Sequence, residues 1–126
     1  MTTLLSKLKK RFSRQEPPRG ISFDDEGFTM LGEKEPVRAS WDRVREVFAY
    51  KIDLFAYDEI CIGFRYDASG AHWWVGEDYV GYREFVDELP KRFPGIRTDW
   101  FADVAHPAFV ENRTTLWGEL WTPPKE

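Results

Sequence analysis

Between residues 21 and 75 the chain contains runs in which apolar and polar residues alternate, and this pattern predicts a series of β-strands. Two short alternating runs, at residues 21–23 and 28–30, flank the sequence DDEG and predict a β-hairpin. Residues 37–39 predict a third short strand after a polar turn. These three runs predict short antiparallel strands at the start of the folded domain.

The longest apolar-rich region covers residues 41–66 and predicts two longer strands joined by a turn. The two-fold alternation of the first strand starts at Glu46. Residues 60–66 are almost continuously apolar, which is typical of a central strand covered on both faces. A turn at residues 67–70 leads to a returning strand at residues 72–75, so this region predicts an antiparallel meander.

After Asp78, which is suited to cap a helix, the apolar period changes from two to 3.6. Apolar residues then recur at i, i+3, i+4, i+7 and i+11, namely Tyr82, Phe85, Val86, Leu89 and Phe93. Pro90 is expected to interrupt the helix near its end, and the Pro-Gly pair at 94–95 to terminate it. The pattern predicts an amphipathic helix that packs on the strands.

Two further elements are predicted near the C-terminus. A second short helix at residues 99–104 would place Trp100, Phe101 and Val104 against the core, and residues 114–117 predict an edge strand. Antiparallel strands followed by helices indicate the α+β fold class. We expect a curved antiparallel sheet or partial barrel, closed by a C-terminal helix.

The N-terminal segment, residues 1–19, is a basic arm and linker. It holds six Lys/Arg and one acid, a charge of +5, whereas the remaining residues hold 12 Lys/Arg and 21 Asp/Glu, a charge of −9; together these give −4. The spacing predicts an amphipathic helix with apolar residues on one face and basic residues on the others: Leu4, Leu5, Lys7, Leu8, Lys9, Lys10, Arg11, Phe12 and Arg14. Pro17 and Pro18 end this helix. Three interpretations stay open: a disordered tail, a helix docked on the domain's own acidic surface, or an anchor on an anionic membrane surface.

Length and composition indicate one cytoplasmic domain. A chain of 126 residues has room for one core, which we place at residues 20–120, with residues 121–126 as a tail. The single Cys61 cannot form an internal disulfide, which suits a reducing compartment. Apolar runs fall short of the roughly 20 residues of a membrane span, and the N-terminus lacks the apolar core of a signal peptide. We predict a cytoplasmic protein, with a peripheral position at the inner membrane face as the alternative.

Three stretches of sequence carry a resemblance to known proteins. They are WDRVREVFAYKIDLFAYDEICIGFRY, GYREFVDELPKRFPGI and WFADVAHPAFVENRTTLW, within residues 37–118. They resemble a small family of uncharacterised bacterial proteins. The order of elements, with Trp41 and Val44 entering a strand, resembles a pleckstrin-homology-like (PH-like) domain. The resemblance implies a bacterial cytoplasmic setting and a PH-like fold, and it implies no activity.

Residue types that carry catalysis or bind cofactors are sparse in this sequence. His72 and His106 are far apart, and the spacing typical of a zinc site does not occur. Cys61 lies in a predicted central strand, where cysteine usually serves as a small hydrophobic residue. The sequence lacks a G-x-S-x-G motif, and its glycines match neither dinucleotide nor Walker spacing. We predict a non-enzymatic protein without a metal or cofactor.

The predicted partner-binding residues are Tyr50, Lys51, Asp53, Asp58, Trp73 and Trp74. A lysine in an otherwise apolar strand implies an edge position, a snorkelling side chain or an ion pair, and a structural ion pair is the favoured interpretation. Adjacent tryptophans point to opposite faces of a strand. Either one of them is exposed and anchors a partner, or each packs in its own layer.

An acidic, aromatic-rich body without catalytic residues predicts a protein-binding domain, with an immunity-like or adaptor role. The alternative is a peripheral membrane-surface module anchored by the basic N-terminal helix. Nucleic-acid binding draws on the same cations but is opposed by the charge of −9 on the body. A homodimer formed through the edge strand after Asn112 stays open.

Overall fold

In a computed structural model of the chain, residues 19–32, 35–53, 58–105 and 113–122 are described, and they form an α+β fold. One antiparallel sheet has the order β1-β2-β3, with β1 at Gly20–Phe23, β2 at Gly27–Leu31 and β3 at Val37–Ser40. The second has the order β6-β5-β4-β7, with β4 at Glu46–Asp53, β5 at Asp58–Arg65, β6 at His72–Gly76 and β7 at Thr114–Gly118. The helices are α1 at Tyr82–Arg92, α2 at Phe101–Ala105 and a one-turn 3₁₀ helix at Trp41–Arg43.

The predicted β1–β2 hairpin is confirmed, and its turn is stabilised locally. The Asp24 carboxylate accepts hydrogen bonds from the backbone N–H groups of Glu26 at 2.9 Å and Gly27 at 3.1 Å. Such side-chain-to-backbone bonds are the reason that aspartate favours turns. A parallel bridge joins the start of β1 to Val80, which ties the three-stranded sheet to the segment that precedes α1.

The prediction that residues 60–66 belong to a central, doubly covered strand is confirmed for β5. This strand lies between β4 and β6, and seven of its eight residues are buried. Side chains alternate across the sheet, so Val47 pairs with Phe64 on the core face, whereas Phe48 pairs with Gly63 on the opposite face. The Phe48 ring occupies the space that any side chain at position 63 would need, which explains a glycine within the central strand.

Phe28 is the residue through which both sheets and the main helix meet. It is fully buried, and its ring lies 5.1 Å from Trp41, 4.9 Å from Phe64, 6.0 Å from Trp73 and 5.2 Å from Phe85, measured between ring centroids. Tilted and edge-to-face pairs at these distances are favourable beyond the area they bury. These five aromatic residues therefore form one core cluster between the sheets and α1.

The predicted amphipathic helix is confirmed, but its start differs from the prediction. Gly81, rather than Asp78, is the N-cap residue, and it has a left-handed φ of 90°. The β1 backbone at Ile21 lies where a side chain at position 81 would project, so glycine is required on both counts. Pro90 lies inside the last turn, and the helix ends at Arg92, where the Phe93 N–H donates to the Leu89 carbonyl.

The second short helix is confirmed as α2, and two of its three predicted inward residues are buried. Trp100 and Val104 are 8% and 0% exposed, but Phe101 is 56% exposed, so the prediction that Phe101 faces the core is wrong. The helix starts at Phe101 rather than at 99. Phe101 is thus a large aromatic residue on the surface.

The prediction of a single curved sheet or partial barrel is wrong, because the described strands form two open sheets. The 3₁₀ helix separates β3 from β4, and β7 returns from the C-terminal region to pair with the outer edge of β4. The predicted edge strand is therefore confirmed, and the homodimer that it would permit stays a prediction. Among the described residues, no helix is long and apolar enough to span a bilayer.

The predicted N-terminal amphipathic helix lies outside the described residues. This applies to each of its proposed docking residues: Leu4, Leu5, Lys7, Leu8, Lys9, Lys10, Arg11, Phe12 and Arg14. His106 is also outside them.

Candidate functional site

A cleft of about 670 Å³ lies between the N-terminal half of α1 and the segment that leads into α2. We call it the acidic cleft and define it by its chemically distinctive lining residues, Glu77, Tyr82, Glu84, Asp87, Trp100 and Phe101. Three smaller cavities have volumes of about 190 to 220 Å³, and one of them adjoins the cleft, because it shares Val86, Asp87, Thr98 and Trp100 with it. The acidic cleft is the most spacious of these four and therefore the candidate site.

The charge of the cleft follows from the polar side of α1. Glu84 and Asp87 are three residues apart, so they lie on the same face of the helix, and Glu77 lies just before it. With Arg83 as the one basic residue among those that line the cleft, the formal charge is −3 + 1 = −2. All four of these charged residues are exposed, so their charges face solvent.

Aromatic rings form the remaining walls of the cleft. Trp100 is buried, and its ring centroid lies 6.0 Å from that of Phe101, which is exposed. Tyr82 is half-buried at the start of α1, and burial raises the pKa of its phenol above the ordinary value of 10, so the hydroxyl stays protonated at neutral pH. An acidic rim around aromatic walls suits a ligand that is both cationic and apolar.

The N-terminal end of the described chain lies beside this cleft. The Val80 N–H donates to the Arg19 carbonyl at 2.8 Å, and the neighbouring Gly81 lines the cleft. The Arg19 guanidinium lies over the rings of Trp74 at 5.8 Å and Tyr79 at 5.9 Å. Arg19, the first described residue, therefore lies next to residues that line the cleft.

The predicted group around Lys51 is divided between the two faces of the sheet. Lys51 is 3% exposed on the core side, where its ammonium lies 3.5 Å from the Asp58 carboxylate and donates to the Ala105 carbonyl at 3.1 Å. Tyr50 is on the opposite face, stacked on Phe48 with centroids 5.5 Å apart. Asp53 is the last residue of β4 and pairs in register with Asp58. Lys51 and Asp58 are a buried structural pair that holds α2 to the sheet.

Trp73 and Trp74 lie on β6 and are both half-buried, on opposite faces of the strand. Trp73 packs in the core cluster against Phe28, and Trp74 packs against Tyr79 with centroids 5.8 Å apart. Trp73 and Trp74 pair with Phe64 and Gly63 near the end of β5, whereas Asp58 is the first residue of that strand and Lys51 pairs with Ile60. The structure therefore does not join the tryptophans with Lys51 and Asp58 in one surface. Trp74 is near the acidic cleft, since Tyr79 lines that cleft and also contacts Trp74.

A pair of carboxyl groups lies next to the cleft, below the turn that follows β6. Glu59 is 8% exposed and shares a hydrogen bond with Asp78. Burial, the Asp78 contact and the charge of Glu77 raise the pKa of Glu59 to about 7, and Arg19 opposes the shift. Gly76 leaves the space that the Glu59 carboxyl occupies. Between about pH 4.5 and 7, Glu59 therefore keeps a proton that an ordinary glutamate would have released.

We expect the raised pKa of Glu59 to make the protein less stable as pH rises. The folded chain holds the proton up to about pH 7, whereas the unfolded chain releases it near 4.5, so the free energy of unfolding falls between these values. The Glu59→Gln substitution should remove this slope. Urea unfolding at several pH values between about 5 and 8 tests it. Parallel pH profiles for the wild type and the variant would contradict the assignment.

A buried ion network on the outer face of the four-stranded sheet was not predicted. Glu46 is fully buried. Its carboxylate accepts hydrogen bonds from Arg65 at 3.0 Å, from Arg113 in a bidentate contact at 2.8 and 2.9 Å, and from Thr115. Burial alone would raise the pKa of Glu46, but these donors together lower it. The three charged residues of the network, Glu46 and its two arginine partners, come from β4, from β5 and from the position just before β7. Because they are far apart in the sequence, their spacing does not predict the network.

The structure supports the prediction that Cys61 is a packing residue. Cys61 is fully buried, and burial, followed by the charge of Glu59, raises the pKa of its thiol to about 12. The thiol stays protonated at neutral pH, which is the opposite of what a nucleophile needs. Within residues 19–32, 35–53, 58–105 and 113–122, no three His, Cys, Asp or Glu side chains are placed to hold a metal ion.

No protein-family model, curated protein or solved structure matches the chain. The resemblance to a bacterial PH-like family therefore stays a prediction.

Sequence reasoning missed the residues of the acidic cleft. The spacing of Glu84 and Asp87 predicts an acidic helix face, but the opposite wall is formed by a segment whose position depends on tertiary packing.

Proposed function

We propose that this chain is a non-enzymatic protein-binding domain that holds a positively charged, partly apolar segment of a protein partner in the acidic cleft. The observation that carries the proposal is the combination, in one cleft of about 670 Å³, of a formal charge of −2 with the exposed Phe101 ring and the Trp100 ring behind it. A domain of this kind acts in the cytoplasm as an adaptor or an immunity-like protein.

The physical chemistry of the cleft supports a protein segment as the ligand. Interfaces gain most of their affinity from aromatic side chains near their centre, and a rim of charge steers a partner of opposite sign. Lysine and arginine side chains can contact both the aromatic rings and the acidic rim. The charged head pairs with a carboxylate such as Glu84, while the apolar stem covers a ring such as Phe101. A cationic amphipathic helix lying along the groove is the simplest such ligand.

Site-specific photo-crosslinking tests the proposal. A photoreactive amino acid at position 101 should capture a discrete protein in an extract of the cells that make the chain. The same amino acid at position 69, exposed in the turn at the opposite end of β6, should not capture it. Capture of the same protein from both positions, or from neither, would contradict a binding role of the cleft.

Charge reversal adds a matched control to this experiment. In a Glu84→Lys/Asp87→Lys variant, capture at position 101 should fall by about tenfold or more, because the partner then meets charge of its own sign. A Glu35→Lys/Asp42→Lys variant makes the same change in net charge on exposed residues that do not line the cleft. Its capture should stay at the wild-type level.

A second candidate function is a peripheral module on an anionic membrane surface, and the amphipathic pattern of residues 1–19 favours it. Co-sedimentation with anionic vesicles, lost when the four apolar residues of the arm are replaced by serine, would support this function. Sedimentation that is the same for the wild type and the serine variant would rule out this function.

A further inference from the structure

We propose that the acidic cleft is occupied by the chain's own basic arm, residues 3–14, until a partner displaces it. This inference rests on the proposed function, because it names a competing occupant for the same cleft. Its consequence is regulatory: the arm sets how much of the cleft is available to a partner.

The position at which the arm joins the domain supports this occupant. Arg19 is held by the backbone hydrogen bond from Val80, and Tyr79, Gly81 and Tyr82 of the same short segment line the cleft. Arg19, which follows the arm in the sequence, therefore lies next to residues that line the cleft.

The arm is long enough to span the part of α1 that lines the cleft. The prolines at 17 and 18 disfavour a continuous helix, so the chain can change direction between the arm and Arg19. A helix over residues 3–14 would be about 18 Å long, from a rise of about 1.5 Å per residue. The part of α1 that lines the cleft, residues 82–87, spans about 9 Å by the same measure, so about half of such a helix would lie in the cleft.

Charge and apolar pattern are complementary between the arm and the cleft. Residues 3–14 contain five Lys/Arg and no acid, whereas the lining of the cleft has a formal charge of −2. The apolar residues of the arm, Leu4, Leu5, Leu8 and Phe12, share one helical face. This face would cover the exposed Phe101 ring, while the flanking cations approach Glu84 and Asp87.

A tethered ligand binds at an effective concentration that a free one does not reach. Where a short linker can span the two sites, this concentration is on the order of millimolar, so contacts too weak for a free peptide would still hold the arm in the cleft. A partner then binds with an apparent affinity lowered by the fraction of chains whose cleft is empty. The arm therefore acts as a built-in competitor.

Hydrogen exchange on the full chain tests the inference with two variants. The first replaces Leu4, Leu5, Leu8 and Phe12 by serine and keeps every charge of the arm. The second is Glu84→Lys/Asp87→Lys, which keeps the arm intact. We expect exchange at residues 98–102 to speed up by about tenfold in the first variant, and exchange at residues 3–14 to speed up similarly in the second.

A synthetic peptide of residues 1–16, added to the first variant, should restore slow exchange at residues 98–102. A peptide of the same charge with its four apolar residues replaced by serine should not. Exchange at residues 98–102 that is the same in the wild type and the first variant would overturn the inference. So would protection that depends on protein concentration, because it would mean that a second copy supplies the arm.

The outcomes separate this inference from the proposed function. If the arm does not occupy the cleft but position 101 still captures a partner, the inference fails and the proposed function stands. If the arm occupies the cleft but the first variant, with its cleft empty, captures no partner, the proposed function fails. Arm-dependent binding to anionic vesicles, with no change at residues 98–102, would overturn the inference in favour of a membrane role.

Discussion

Replacing Glu46 with alanine is expected to lower the free energy of unfolding by about 3–5 kcal/mol, the usual effect of removing one partner from a buried ion pair. The variant would leave Arg65, which is 3% exposed, without its carboxylate on the sheet. It would also remove the two-pronged acceptor of Arg113, whose guanidinium lies 3.8 Å from the centroid of the Phe48 ring. Loss of Glu46 therefore affects the attachment of both β5 and β7 to β4.

Urea unfolding of the variant measures this effect, and Glu119→Ala is the matched control. Glu119 also contacts Arg65, at 3.4 Å, but its side chain is 65% exposed. An exposed ion pair contributes about 0–1 kcal/mol, so this control should change stability little. A Glu46→Ala variant as stable as Glu119→Ala would show that the network does not hold the sheet together.

Replacing Phe28 with alanine is expected to have an effect of similar size, about 3–5 kcal/mol, because it opens a cavity where both sheets meet α1. Its ring contacts Trp41, Phe64, Trp73 and Phe85 at once, so no single neighbour can move to fill the space. Thermal and urea unfolding measure the loss.

The matched control for Phe28→Ala is Phe101→Ala, the same substitution at a residue that is 56% exposed. Surface substitutions usually change stability by less than about 0.5 kcal/mol. Equal losses for the two variants would contradict the description of the core. If the proposed function is correct, Phe101→Ala should reduce partner binding while leaving the fold intact.

The sequence predicts the elements that local periodicity determines. The continuous apolar run of β5 and the i, i+3, i+4 pattern from Tyr82 each identified an element that the structure contains. The cap of α1 was misplaced at Asp78, since the choice of Gly81 depends on how closely β1 approaches it. The preference of a residue for the cap position is a local property, whereas the distance between β1 and position 81 depends on tertiary structure.

The division into two sheets was beyond sequence reasoning for a physical reason. An alternating strand shows which of its faces is buried, but it does not show which strand pairs with it. Whether β4 pairs with β3 or with β7 depends on contacts between residues that are far apart in the chain, such as Glu46 and Arg113. The acidic cleft was missed for the same reason, because its two walls come from α1 and from the segment before α2.

Titration of the protein captured from position 101 against the purified domain measures whether the acidic cleft binds it. We expect saturable one-to-one binding that weakens as salt screens the acidic cleft. We also expect Glu84→Lys/Asp87→Lys to weaken binding by about tenfold or more, whereas Glu35→Lys/Asp42→Lys should not. Equal affinity for the two charge-reversal variants would contradict the claim that the acidic cleft is where this domain binds its partner.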